Sequence, residues 1–177
     1  MHFGEAWETV LVELHTTLHR ADSRTVEALC EKLRRARAVF VTGEGRSGLV
    51  ARCFAMRLSH LGLRAHVVGG ATAPPLGKDD ILVAVSRTGE TALTCTVARL
   101  AVDAGGAVAA MTADDDSALA KMSEIAVVLA PAAPSNQYGG SLFEQAALIT
   151  LDAISLMLQE RLGITREAME SRHANLE

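Results

Sequence analysis

The sequence predicts a single α/β domain, a three-layer α/β/α sandwich around a five-stranded parallel sheet of order 2-1-3-4-5. Three observations lead there. Five short apolar segments alternate with stretches of helical periodicity, glycine-rich loops follow the first and third of them, and no linker, low-complexity run or repeat divides the 177 residues. Strands joined by helical segments of about ten to fifteen residues imply right-handed βαβ crossovers and parallel pairing. Short, wholly apolar strands fit a sheet covered on both faces. The length suits one ordinary domain over 1–177, with N-terminal helices at 1–37, an α/β core at 38–163 and a helical tail at 164–177.

Trp7, Val10, Leu11, Leu14 and Leu18 recur at helical spacing, so residues 5–20 read as an amphipathic helix that packs on its own sheet or on another subunit. A second helix runs from about Thr25 with Val26, Leu29 and Leu33 on one face, and its basic end, Lys32 to Arg35, suits a helix C-terminus. Residues 38–42 (AVFVT) form the first strand. Helical spacing returns over 47–61 through Val50, Phe54, Leu58 and Leu61, and Gly62 stops it. Strands follow at 65–68, 81–85, 107–111 and 125–129, with helices at 90–104 and 117–122 between the later ones. A long loop carrying Pro131 and Pro134 leads to a helix from Leu142 to about Arg161, and a short helix lies in the tail.

Composition narrows the function classes. Apolar residues make up 49% of the chain, enough for a sizeable core, while aromatic residues at 3% give no stacking platform for single-stranded nucleic acid. The net charge of −4, without any basic block, argues against nucleic-acid or anionic-membrane partners. Cys30, Cys53 and Cys95 are odd in number and lack a C-x-x-C pair, so neither a disulfide framework nor a zinc knuckle is expected. The first residues, MHFGEAWETV, contain no secretory pattern, and no unbroken run of about eighteen apolar residues marks a membrane span. The expectation is a cytoplasmic protein.

Two loops carry the chemistry. In VTGEGRSG (41–48), Gly43, Gly45 and Gly48 spell G-x-G-x-x-G, the pattern of a dinucleotide-binding turn, but Arg46 and Ser47 suit a phosphate monoester as well. A dinucleotide site also wants an acidic residue about twenty positions on, for the ribose hydroxyls. Residues 45–78 contain none, which leaves only a weak NADP variant through Arg64, and no Gly-Lys-Ser/Thr completes a Walker pattern. The loop after the third strand, SRTGET (86–91), offers Ser86, Thr88 and Thr91 at a helix start, together with Arg87, Gly89 and Glu90. Hydroxyls, free amides and the positive end of a helix dipole make an anion site. Taken singly, Ser47 reads as an N-cap and Thr88-Gly89 as a turn. Together, after strands one and three of one sheet, they read as a cradle for a phosphate monoester.

These loops resemble those of the SIS (sugar isomerase) domain. The segment GRSGLVARCFAMRLSHLG, the stretch GGSLFEQ and the terminal RHANLE are similar to the 6-phospho-3-hexuloisomerase family across essentially the whole chain. The resemblance implies a homotetramer whose sites are completed by neighbouring subunits and which needs no cofactor or metal. It implies interconversion of D-arabino-hex-3-ulose 6-phosphate and fructose 6-phosphate in formaldehyde fixation by the ribulose monophosphate route, with a hexulose-6-phosphate synthase as functional partner. It further implies that Gly45, Arg46, Ser47 and residues 86–91 hold the phosphosugar and that Glu144 is the catalytic base. The chain departs from the family pattern at Arg87, where a small residue is usual, and at Tyr138-Gly139-Gly140.

Glu144 has a second reading. Ser-Leu-Phe-Glu (141–144) is a capping-box pattern with Ser141 as N-cap and Glu144 three residues on, and on the residues alone that reading is the commoner. A carboxylate cannot point at substrate and back at its own N-cap together. Among the histidines, His15 and His19 lack the glutamate of a zinc helix and His66 lies in a strand, whereas His60, ending the helix after the first loop, and His173, in the tail, are candidates for acid–base assistance. Rival functions are a sedoheptulose 7-phosphate or arabinose 5-phosphate isomerase and a sugar-phosphate sensor. The first 37 residues are short and insufficiently basic for the DNA-binding module such a sensor carries.

Overall fold

The structure, a computed structural model, describes residues 1–176. Its five strands are β1 (Val39–Gly43), β2 (Ala65–Val67), β3 (Ile81–Val85), β4 (Ala107–Thr112) and β5 (Ile125–Val128). They pair in parallel in the order β2-β1-β3-β4-β5, as the sequence predicts. The helices are α1 (Phe3–Arg20), α2 (Ser23–Arg35), α3 (Gly45–His60), α4 (Ala92–Asp103), α5 (Ala118–Met122), α6 (Ser141–Leu162) and α7 (Arg166–Glu170). Boundaries move by a residue or two from expectation, with the informative shifts at the starts of α3, α4 and α6.

Successive strand residues point to opposite faces, so each strand feeds two cores. Val39, Val41, Val83, Val85, Ala109 and Met111 pack against α2, α3 and α6, with Phe54, Leu58, Leu151 and Ile154 almost inaccessible. Phe40, Leu82, Ala84, Val108 and Ala110 face the other layer, where Ala98, Ala101 and Leu119 come from α4 and α5. Each fully buried large apolar side chain contributes about 1.5–3 kcal/mol. The reversal of winding between β1 and β3 puts α3 and α4 on opposite faces and opens a crevice beyond the strands' carboxyl ends.

By length and composition α6 could cross a membrane. Here Phe143, Ala146, Ala147, Leu151, Ile154 and Leu158 lie in the first core, and α6 is a central packing helix. The outer helix α1 packs on α6 through its C-terminal half, burying Leu14 and Thr17 and leaving Trp7 and Leu11 exposed.

Residues 68–80, between β2 and β3, have no helix and are fixed by chemistry. Arg37 Nε donates 2.9 Å to Asp80 Oδ1 and its Nη2 donates to Oδ2, while Gly77 N–H donates 2.8 Å to Oδ2. The Asp80 side chain is fully buried. Its guanidinium partner, outweighing the burial, holds the carboxyl below the usual carboxylate range. A carboxylate with a lowered folded-state pKa stabilises fully above its unfolded value, about pH 4, and the contribution disappears as pH falls through the folded pKa.

Asp80→Ala should therefore cost about 1.5–3 kcal/mol at pH 7, the worth of hydrogen bonds to a charged group. Unfolding at pH 7 and again near pH 3 checks this, since the gap between wild type and variant should narrow in acid.

Candidate active site

The register of β1 on β3 builds the site. Gly43 lies opposite Val85, so the segments 44–48 and 86–91 leave the sheet side by side. A Cβ on Gly43 would sit 2.7 Å from the Val85 carbonyl oxygen, and one on Gly48 would sit 2.3 Å from that of Gly43. Both distances are shorter than any real Cβ contact, so this backbone approach requires glycine. In the pattern that resembled a dinucleotide fingerprint, Gly43 and Gly48 are thus packing requirements, and Gly45, with φ +57° and open space around it, serves a left-handed backbone.

Two helix N-termini open at this edge. α3 begins at Gly45 with Glu44 as N-cap, and no side chain caps it. Ser47, read from sequence as a possible N-cap, instead lies in the first turn. α4 begins at Ala92 with Thr91 as N-cap, and its hydroxyl makes no capping bond. The Thr91 hydroxyl lies 3.0 Å from that of Ser86 instead. Ser47 and Ser86 are 7% and 3% exposed, so these hydroxyls are withdrawn from bulk water beside first-turn amides that have no intrahelical acceptor. Such an arrangement recruits an anion with several acceptor oxygens.

The second loop is held from behind. Gly89 has φ +64°, and a Cβ there would lie 2.1 Å from Ser117 Oγ. Its carbonyl accepts from Leu119 N–H at 3.0 Å, and Thr112 Oγ1 donates 3.2 Å to the Arg87 carbonyl. Thr88 Oγ1 accepts from Glu90 N–H at 3.2 Å. Glu90, expected to touch substrate, accepts from Ala118 N–H at 2.7 Å through Oε1, which ties the loop to the start of α5.

Glu144 joins the loops from α6. The N-cap of α6 is Gly140, not Ser141, and the predicted capping box is not formed. Ser141 Oγ instead accepts from Arg46 Nη1 at 2.8 Å, and Arg46 Nε lies 3.1 Å from Glu144 Oε2. That N–H is off the donor axis, so Oε2, which is shielded from solvent, accepts no hydrogen bond among the described residues. The neighbouring Gln145 Oε1 is in the same state. Buried acceptors without donors are costly and rare in native proteins, and a bound polyol relieves them. Arg87 reaches the same spot: a Cβ on Gly140 would lie 3.2 Å from Glu144 Oε1 and 3.4 Å from Arg87 Nε. Sequence reasoning read Ser141 only as a cap and missed that the Gly-Gly before it leaves room for Arg87 beside the carboxylate.

The structure thus gathers Gly45, Arg46, Ser47, Ser86, Arg87, Thr88, Thr91 and Glu144 at one edge. His60 and His173 lie elsewhere in the chain. Thirteen residues of helix place His60 about 20 Å from Ser47. There its ring stacks on that of His173 with centroids 5.0 Å apart, and Arg172 Nη1 donates 3.1 Å to the His60 carbonyl. Of the terminal RHANLE, Glu177 lies outside the described residues. A cleft of about 330 Å³ opens on the other flank of the first loop, among Gly45, Leu49, Arg52, Val68, Leu93 and Val97. None of the cradle hydroxyls lines it.

The SIS domain family matches residues 32–157. The chain is 36% identical over 177 residues to a 3-hexulose-6-phosphate isomerase of Bacillus subtilis (strain 168), covering 95% of each. It is 39% identical over 173 residues to the 3-hexulose-6-phosphate isomerase of Mycobacterium gastri, covering 93% of this chain and 86% of the relative. A crystal structure of a Methanococcus jannaschii protein, described as inferring a molecular function of 3-hexulose-6-phosphate isomerase, superposes with a TM-score of 0.89 at 29% identity, over 98% of this chain and 99% of that one.

Gly89→Ala forces a left-handed backbone and a clash with Ser117. It should destabilise by at least about 1–2 kcal/mol in thermal unfolding and weaken inorganic phosphate binding measured by calorimetry.

Proposed function

The chain belongs to the SIS domain family, and we propose that it is an isomerase interconverting D-arabino-hex-3-ulose 6-phosphate and D-fructose 6-phosphate. The observation that carries the reading is Glu144, a carboxylate beside two phosphate-sized hydroxyl loops with one oxygen shielded and unbonded. Long, similarly named relatives support the substrate.

The phosphate anchors the sugar. Ser47, Ser86, Thr88 and Thr91 donate hydroxyl hydrogen bonds to its oxygens, and the first-turn amides of α3 and α4 add their own, with Gly45 and Gly89 allowing close approach. Anchoring one end converts proton transfer at the other into a positioned, intramolecular event. Glu144 then takes the C2 proton of the 3-keto sugar. The C2–H electron pair becomes the C2=C3 double bond of an enediol, and the C3 carbonyl oxygen gains a proton. Collapse in the other sense delivers the proton from Glu144 to C3 and leaves the carbonyl at C2. The C2 hydroxyl gives up its proton to solvent, which replaces the one that solvent supplied to the C3 oxygen. The reaction balances without a cofactor.

Arg46 and Arg87 flank the carboxylate and supply positive charge where the enediolate oxygen develops, the kind of aimed electrostatics that outweighs single hydrogen bonds in water-poor sites. Arg46 also meets Glu144 in the absence of sugar, so substrate exchanges this ion pair for contacts of its own.

The chain assembles as a homotetramer in this reading. Leu49 and Met56 on α3, and Ile149 and Leu156 on α6, are exposed two turns apart on packed neighbouring helices, an apolar surface suited to further copies. His60 and His173 assist acid–base chemistry where assembly brings that end of α3 to a neighbour's loops. The thiols of Cys30, Cys53 and Cys95 are all unpaired, which suits a reducing cytoplasm. A synthase that makes the 3-hexulose phosphate from formaldehyde is its functional partner.

Wild type offered the 3-hexulose phosphate in D₂O should form fructose 6-phosphate carrying solvent deuterium at carbon. Glu144→Gln should lose about 10²–10⁴-fold in kcat while keeping its melting temperature, because no capping bond is removed. A variant that keeps its rate and loses stability would overturn the assignment of the base.

A further inference from the structure

The lead-in to α6 has one polar anchor, and it comes from the far end of the sequence. Glu13, half-buried on α1, accepts four hydrogen bonds through its two carboxylate oxygens. Ser135 Oγ donates at 2.7 Å, Asn136 N–H at 2.7 Å, Asn136 Nδ2 at 2.9 Å and Gln137 Nε2 at 3.0 Å. Gln137 N–H closes the tripeptide by donating 3.0 Å to Ser135 Oγ. All acceptor capacity of one carboxylate is thus given to three consecutive residues. These bonds together outweigh partial burial and pull the Glu13 carboxyl down to about 2, so it stays ionised through the neutral range.

Downstream of Gln137 the loop has little else to hold it. Tyr138 is 96% exposed, Gly139 has φ +63° and no atom within reach of a Cβ, and the next tertiary polar contact is Arg46 on Ser141 Oγ. The loop's remaining hydrogen bonds are local ones to the first turn of α6, from Ser141 N–H to the Tyr138 carbonyl at 3.3 Å and from Glu144 N–H to the Gly140 carbonyl at 3.0 Å. The placement of Ser141, of Arg46 upon it and of the Glu144 carboxylate therefore passes through this tether.

From that geometry we propose that Glu13 is a positioning residue for the isomerase reaction, fixing the 135–137 loop so that Ser141 and Arg46 hold the Glu144 carboxylate in its reactive place. The inference rests on the function proposed above. Glu13 touches no reacting atom, and the phosphate loops after β1 and β3 do not hang on it. Its loss therefore separates the base from the cradle: proton transfer suffers and phosphate recognition does not.

The test compares wild type, Glu13→Gln and Glu13→Ala in turnover, in competitive inhibition by inorganic phosphate, and in amide hydrogen exchange over residues 138–146. Glu13→Ala should lose about 10²-fold in kcat, the cost of roughly 1 Å of misplacement. Glu13→Gln, which keeps the length and one acceptor, should fall between. KM and the phosphate inhibition constant should stay within about two-fold, and exchange over 138–146 should quicken. The double variant Ser135→Ala/Gln137→Ala cuts the same tether from the exposed loop with α1 intact and should reproduce the split even if Glu13→Ala does not fold. Unchanged kcat, equal losses in kcat and phosphate affinity, or unchanged exchange in folded variants would overturn the proposal. A wild type inert toward the hexulose phosphate would sink the proposed function instead, and hydrogen exchange would still decide whether Glu13 orders the lead-in to α6.

Discussion

The site depends on one pairing, that of β1 with β3 in the register that sets Gly43 opposite Val85. It brings the first-turn amides of α3 and α4 to one edge although the helices lie on opposite faces of the sheet. The same pairing leaves no space for a side chain at Gly43 or Gly48, where the backbone of the first loop runs against Val85 and against itself. A slip of one residue would turn every side chain of β1 to the other core and separate the loops. Packing and the exposure of these amides are therefore one constraint. The glycines needed to close the turn also bare the first-turn amides of α3.

The second loop shows how the fold preorganises polar groups it does not bury completely. Thr112 on β4 and the Glu90–Ala118 bond tie the loop to its neighbours, Ser117 packs against Gly89, and the Ser86 and Thr91 hydroxyls meet each other. Glu144 is treated differently. It is mostly buried near the start of a 22-residue apolar helix, yet one oxygen accepts no hydrogen bond. Its ion pair is with a half-exposed arginine, which contributes little to stability.

Much of this was legible in the sequence, for identifiable reasons. The order of the sheet follows from apolar runs and crossovers, and the chain of strong local signals leaves few topologies. That the two hydroxyl-bearing loops meet follows from their placement after the first and third strands. The capping box at Ser141 failed as a reading because Gly140 took the N-cap position and Arg46, 95 residues away, claimed the Ser141 hydroxyl. The bond from the Ala118 amide to Glu90 was likewise not legible, because it joins residues 28 apart. The Glu13 tether spans more than 120 residues of chain and has no local signature. Long-range polar contacts of this kind depend on packing angles that periodicity does not encode.

In the proposed reaction a phosphosugar lies across both loops with its reacting carbons at Glu144. A crystal structure with bound fructose 6-phosphate tests it most directly. Phosphate oxygens should lie within hydrogen-bond distance of Ser47, Ser86, Thr88 and Thr91, and a Glu144 oxygen about 3–3.5 Å from C2 or C3. A phosphate lodged in the cleft between Leu49 and Val97, or a Glu144 carboxylate turned away from the sugar carbons, would contradict it.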